Sequence, residues 1–212
     1  MTDASANTPS STPSMKGSLI ADMVGDIRKL VDDQTLSRAE LERRLTRDDL
    51  ALLDSQIAVS GWYDVRFYAR CAELLRDALG DGDDGYLVQR GFDRGRALIE
   101  AGLYQQMEYA KRPQVGQAMS REERFRAYGS DLRLFVTLSK SLLNFTEWSI
   151  VVDPEHADRY RVVVAGADAY PDALAWATEG FVDAMAASHG MRSLWRHARI
   201  DDRIEFRMTR SL

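Results

Sequence analysis

The sequence is poor in cysteine, because Cys71 is the only one among 212 residues. A lone cysteine excludes an intrachain disulfide and a zinc site built from cysteines. The chain also lacks an apolar run of about 18 residues, so we expect no membrane span. The N-terminus has no basic segment followed by an apolar stretch, which argues against a secretory signal. Together these absences predict a cytoplasmic protein.

An excess of positive charge is absent as well. The chain carries 28 Lys and Arg residues against 33 Asp and Glu residues, a formal net charge of −5. Because a protein that binds mainly through phosphate contacts is usually basic, nucleic acid is disfavoured as the principal partner. The sequence shows no catalytic signature and no arrangement of metal ligands, and it leaves the cofactor unknown.

The N-terminal segment has the composition of a disordered tail. Nine of the first 16 residues are Ser, Thr or Pro. Such a segment buries too little apolar surface to offset the entropy lost on ordering. We therefore expect residues 1–15 to be a disordered tail and residues 16–212 to form a single α+β domain.

Helical patterns dominate the first two-thirds of this domain. Apolar side chains recur at helical spacing over residues 19–30, and Ser37 and Ser120 each begin a capping-box pattern. A long helix is predicted over about 86–110 and a break over 113–118. Within that helix Gly91 and Gly95 lie one turn apart, which predicts a second backbone packed closely against it.

From Glu147 onward the pattern changes to that of strands. β-Branched and aromatic residues predict one hairpin over 148–165 and a second over 191–209. Pro171 suits the first turn of a helix between them. The order strand–strand–helix–strand–strand predicts a four-stranded, mainly antiparallel sheet that packs on the helical part.

The second hairpin supplies most of the candidate ligand-binding residues. If its loop is Asp201-Asp202, His197 pairs with Phe206, and Trp195 shares their face of the sheet. That face is apolar and should point at the helices, where a pocket could form. The candidate ligand-binding residues are Trp148, Trp195, His197 and Phe206.

His197 has two interpretations at this stage. It contacts a ligand or ligates haem, or it is a core histidine whose ring nitrogens bond to the backbone. The core interpretation is the commoner for a histidine on an apolar face. The opposite face carries Arg196, Arg203, Glu205 and Arg207, which predicts a solvent-exposed face of mixed charge, with an acidic partner as the alternative.

The remaining reactive side chains are expected to have structural roles. His156 in the first hairpin turn and His189 at a helix end are predicted at the surface. Cys71 lies on the apolar stripe of its helix, which predicts a small core residue.

Short motifs in a characteristic order run along residues 16–210. They are Lys16-Gly17-Ser18-Leu19-Ile20, Trp62-Tyr63 at a helix start, Gly80-Asp81-Gly82-Asp83, Trp148, Ala165-Gly166 and Glu179-Gly180-Phe181. In these motifs the chain resembles an uncharacterised family of proteins multiplied in myxobacteria. That family in turn resembles the superfamily of four-vinyl-reductase-like and haem–nitric-oxide-binding domains.

The resemblance implies a helical part followed by an antiparallel sheet that covers a small-molecule pocket, and thus a sensory or ligand-binding module. Two departures from the motifs of that superfamily limit the resemblance. The metal-binding cysteines of the four-vinyl-reductase-like domains lie near the C-terminal end, whereas Cys71 does not. The Tyr-x-Ser-x-Arg motif of the haem sensors has its nearest match in Tyr128-Gly129-Ser130-Asp131-Leu132-Arg133, which is one residue too long and predicted helical. Haem is therefore not expected.

Three classes of function follow from these observations. The first is a non-enzymatic regulatory or sensory module that binds an apolar small molecule or a partner protein. The second is a structural scaffold that acts by homodimerisation, and the third is an enzyme that uses His197 on a hydrophobic substrate. A pocket above about 300 Å³ lined by Trp148, Trp195 and His197 would favour the first or third, and a filled core would favour the second.

Overall fold

The helices and the four C-terminal strands follow the order expected from the sequence, whereas the short strands Ser14–Lys16 and Trp62–Asp64 were not predicted. The computed structural model describes residues 12–101 and 120–212. In chain order the elements are β1 (Ser14–Lys16), α1 (Ala21–Asp32), α2 (Arg38–Arg44), α3 (Arg47–Leu53), β2 (Trp62–Asp64), α4 (Val65–Leu79), α5 (Gly85–Glu100), α6 (Arg121–Leu142), β3 (Glu147–Asp153), β4 (His156–Ala165), α7 (Asp172–Ser188), β5 (Trp195–Ile200) and β6 (Arg203–Met208).

Four of the strands form one antiparallel sheet in the order β3-β4-β6-β5. His197 pairs with Phe206, and Trp195 pairs with Met208, across a turn at Asp201 and Asp202. The α+β class and the register of the second hairpin are therefore confirmed. Because side chains alternate across a strand, this register places Trp195 and Phe206 on the buried face of the sheet.

The N-terminal strand begins upstream of the expected domain boundary. Ser14–Lys16 pairs antiparallel with Trp62–Asp64, and the side chain of Met15 is fully buried. The backbone N–H of Ser14 also donates to Asn144 Oδ1 at 2.7 Å. One buried apolar side chain and a set of backbone hydrogen bonds order this polar segment. Residues 1–11 of the expected tail lie outside the described residues.

Helices α5 and α7 touch through their backbones. A Cβ atom on Gly91 would overlap the carbonyl oxygen of Ala177, and one on Gly180 would overlap the carbonyl oxygen of Val88. The close approach predicted from Gly91 and Gly95 is thus confirmed, and α7 is the helix that makes it. The predicted break over 113–118 lies outside the described residues.

The outer face of the sheet differs from the expected solvent-exposed face. Glu205 is only 5% exposed, because Arg161 and Arg207 both donate to its carboxylate, at 3.2 and 2.6 Å. Arg161 in turn bonds to Asp153, which is also buried. Arginine side chains therefore cover carboxylates on this face, which an alternation pattern alone does not show.

Within the described ranges, we find no helix with both the length and the apolar composition needed to cross a membrane.

Replacing Gly91 or Gly25 by alanine should change the free energy of unfolding in opposite directions. Gly91→Ala should lower the free energy of unfolding by about 1–3 kcal/mol, because the methyl group meets the backbone of α7. Gly25→Ala in α1 should raise it by about 0.5–1 kcal/mol, because no atom lies within reach of the new Cβ and alanine favours a helix. Chemical denaturation measures both, and equal effects would contradict the close approach.

Met15→Ala should lower the free energy of unfolding by about 2–5 kcal/mol, because it leaves a cavity in the core. Lys16→Ala is the matched control on the next residue. The lysine lies over the ring of Trp62 at 4.0 Å and should contribute less than about 1 kcal/mol. If thermal melts show no loss for Met15→Ala, the segment does not belong to the folded core.

Candidate functional site

A cavity of about 790 Å³ opens between the helices and the sheet. Its walls come from α1, α5, α6 and α7, with Tyr68 of α4 and Trp148 of β3 behind them. Helix α5 is in close contact with α7, and both α1 and α5 contribute residues to the lining. This volume lies within the range of small-molecule sites in proteins.

The inner wall of the cavity is aromatic. Phe135 lies edge-on to Trp148 at a centroid distance of 5.6 Å and stacks on Phe181 at 5.5 Å. Tyr170 lies 6.2 Å from Trp148. Rings in such mutual contact hold one another in place, so the wall offers a preformed apolar surface.

A charged rim borders the cavity on α1 and α5. It consists of Asp22, Asp26, Lys29, Arg90 and Arg94. Arg90 pairs with Asp26 at 2.7 Å, and Arg94 pairs with Asp22. Burial by itself would lower the pKa of Arg90, but Asp26 and the hydroxyl of Tyr86 raise it above its ordinary value. The two ion pairs bridge α1 and α5 across the opening.

The hydroxyl groups on the cavity wall differ in whether they have a hydrogen-bond partner in the protein. The hydroxyls of Tyr170 and Thr178 bond to each other at 2.8 Å, and Ser139 donates to the carbonyl of Phe135 at 2.9 Å. The Tyr68 hydroxyl has no hydrogen-bond partner among the described residues. Burial raises the pKa of Tyr68 to about 12, so it is a neutral phenol at ordinary pH.

Of the four candidate residues from the sequence, Trp148 lines this cavity. Phe206 is fully buried behind Trp148, with ring planes 9° apart and centroids at 6.5 Å. Trp195 is also buried, and its Nε1 donates to the Tyr128 hydroxyl at 2.6 Å. His197 packs against Phe206 with ring centroids 5.8 Å apart but borders a different cavity, so the structure does not bring the four together around one opening.

His197 bonds to a carboxylate of α7. Both its backbone N–H and its Nδ1 lie within hydrogen-bond distance of Glu179 Oε2, at 2.9 and 2.7 Å. Its ring meets Trp176 edge-on at 4.4 Å. A side-chain carboxylate therefore takes the place of the backbone partners expected for a core histidine. His197 also borders a smaller polar cavity of about 370 Å³, together with Glu73, Arg76, Asp84, Asp172, Ala173 and Trp176.

The other histidines and the cysteine lie away from the larger cavity. His156 is exposed, as expected. The prediction of a surface position for His189 is wrong, because its side chain is only 6% exposed and its Nε2 lies 2.7 Å from Asp131. Burial raises the pKa of Cys71 to about 12, and Asp49 adds to the shift, so the thiol is protonated and unreactive.

The cavity residues that the sequence did not indicate are on α1, α4, α5, α6 and α7. Asp22, Gly25, Asp26 and Lys29 recur at helical spacing, which marks one face of α1. A polar helix face is usually solvent-exposed, so this pattern did not point to a cavity. The signal that could have helped is Gly25, which leaves space in the middle of that face.

Comparison with known proteins supports the fold. No protein-family model matches the sequence, and no curated protein matches it. A solved structure of the H-NOX family, from work that probes the function of haem distortion, matches with a TM-score of 0.51. The match covers 93% of this chain and 97% of that chain at 12% sequence identity. The chain therefore has an H-NOX-like fold, and its resemblance to the myxobacterial family stays a prediction.

The residues of the cavity do not fit haem. Haem iron is most often held by histidine or cysteine, and none of the cavity-lining residues in the described chain is either. Tyrosine binds iron as a phenolate, and burial raises the pKa of both Tyr68 and Tyr170, which keeps these two phenols protonated. The segment nearest to the Tyr-x-Ser-x-Arg motif is helical, as expected. Within it Tyr128 bonds to Trp195 and Ser130 to Arg133, and neither of these bonds faces the cavity.

Protein purified with excess haem should therefore show no stoichiometric Soret absorption band. The measurement is an absorption titration followed by gel filtration, with His189→Ala and His197→Ala as comparison variants. A one-to-one band that either substitution abolishes would overturn the assignment and make that histidine an iron ligand.

Proposed function

We propose that this chain is a non-enzymatic sensory or regulatory module that binds an apolar small molecule in the larger cavity. The observation that supports this proposal is the cavity of about 790 Å³ beside a preformed aromatic wall. Ligand sites in proteins are typically concave and mostly apolar with a few polar groups, and this cavity has that composition. The H-NOX-like fold supports a ligand-binding role by analogy.

Two features of the side chains support a binding role over a catalytic one. The carboxylates of Asp22 and Asp26 are each paired with an arginine, so neither is a free base. His197 is held by Glu179 and borders a different cavity. An open cavity of this size also favours ligand binding over the scaffold alternative, which would suit a closed core. The cytoplasmic location and the possible homodimer expected from the sequence stay predictions.

Filling the cavity from α1 should weaken ligand binding. Gly25 lines the cavity, and no atom lies within 4 Å of the position that a Cβ would take there, so Gly25→Trp can place its indole in the open space. We expect Gly25→Trp to weaken binding of the fluorescent apolar probe N-phenyl-1-naphthylamine by about tenfold or more. Gly25→Ala, which changes the same helix position with one methyl group, should bind within about twofold of the wild type.

Fluorescence titration gives both dissociation constants, and circular dichroism checks that each variant is folded. Equal probe binding by Gly25→Trp and the wild type would mean that the probe binds elsewhere. Failure of the wild type to bind the probe would contradict the proposal. Native mass spectrometry of freshly purified protein then reports a co-purified ligand and the number of subunits together.

A further inference from the structure

Tyr68 differs from the other polar groups of the cavity wall. Its side chain is nine-tenths buried, since the residue is 5% exposed, and it lines the cavity from α4. Its hydroxyl has no hydrogen-bond partner among the described residues, whereas Tyr170 and Ser139 on the same wall both have one. The hydroxyl oxygen is not one of the fully buried atoms that lack a partner, so it is accessible from the cavity, and a ligand that displaces water there must supply its hydrogen bond. The cavity is where a partner can be supplied.

The protonation state of Tyr68 indicates which kind of partner it takes. Arg90 lies close enough for its positive charge to oppose the effect of burial on the Tyr68 pKa. Burial nevertheless dominates, so the phenol keeps its proton and can donate it in a hydrogen bond. Arg90 is itself paired with Asp26, so the selection depends on the neutral phenol, which is a stronger hydrogen-bond donor than acceptor and therefore favours an oxygen acceptor on the ligand.

We propose that Tyr68 is the specificity-determining hydrogen-bond donor of the cavity, and that the ligand is an apolar molecule bearing a carbonyl or carboxylate oxygen. The apolar body lies against the rings of Phe135 and Trp148, and the oxygen accepts the hydrogen bond from Tyr68. This inference rests on the proposed function, because it assigns the chemistry of the ligand at that same site.

Three ligands that share the naphthalene ring system separate the contribution of the oxygen to binding from that of the apolar rings. They are naphthalene, 2-acetylnaphthalene and 2-naphthoate, each measured by displacement of N-phenyl-1-naphthylamine. Tyr68→Phe removes only the donor and should raise the dissociation constant of 2-acetylnaphthalene or 2-naphthoate by about tenfold, the value of one hydrogen bond. The dissociation constant of naphthalene should change by less than about twofold.

Tyr170→Phe is the matched control. It removes a hydroxyl from the same wall, but one that Thr178 already satisfies. It should leave the ratio of the naphthalene and 2-acetylnaphthalene dissociation constants as in the wild type. If Tyr68→Phe weakens the binding of 2-acetylnaphthalene alone, the ligand is a neutral carbonyl compound. If it weakens the binding of 2-naphthoate alone, the ligand is an anion.

The outcomes separate this inference from the proposed function. If the wild type binds the probe, Gly25→Trp does not, and Tyr68→Phe shifts all three ligands equally or none, the cavity binds ligands but Tyr68 does not select them. A water molecule that keeps the Tyr68 hydroxyl occupied in every complex would give that same result and overturn the inference. If neither the probe nor the naphthalenes bind the wild type, both proposals fail.

Discussion

Backbone contact between α5 and α7 is the constraint on which the rest of the structure depends. Gly91 lies against Ala177, and Gly180 lies against Val88, where no side chain has room. Because the two helices meet so closely, the space on this side is closed. The remaining apolar surface of α5 and α7 faces α1 and α6 across the cavity. The lack of a side chain at one position on each helix thus determines where the open space lies.

Buried carboxylates on α7 connect this helix pair to the sheet. Asp183 Oδ1 accepts the backbone N–H groups of Leu194 and Trp195 at 2.7 and 3.0 Å, and Glu179 accepts that of His197. Burial raises the pKa of Asp183, although these two donors act in the opposite direction. Strand β5 is therefore anchored to α7 through side chains, and His197 belongs to that anchor and not to the larger cavity.

The chain shares the overall fold of a solved H-NOX structure at 12% sequence identity. The helices and the sheet enclose a cavity whose described wall offers aromatic rings, ion-paired side chains and a phenol without a protein partner. A fold can keep a pocket while its lining residues change, since the pocket depends on how elements pack and the ligand depends on the atoms that line it.

Local patterns in the sequence determined the fold class, the helix starts and the second hairpin. Ser37 and Ser120 form the capping boxes that their spacing predicts, and the alternation along β5 and β6 gives the observed pairing of His197 with Phe206. These features depend on residues close together in the chain, so periodicity and capping reveal them.

Only the tertiary structure decided the cavity, the partner of His197 and the burial of Met15. Met15 is ordered by a strand nearly fifty residues away, and Tyr68 faces an opening made by helices from both halves of the chain. A polar or aromatic residue looks the same in the sequence whether its partner is water, a neighbouring carboxylate or a ligand. Which of these it meets depends on contacts between distant segments, and those are set when the elements pack.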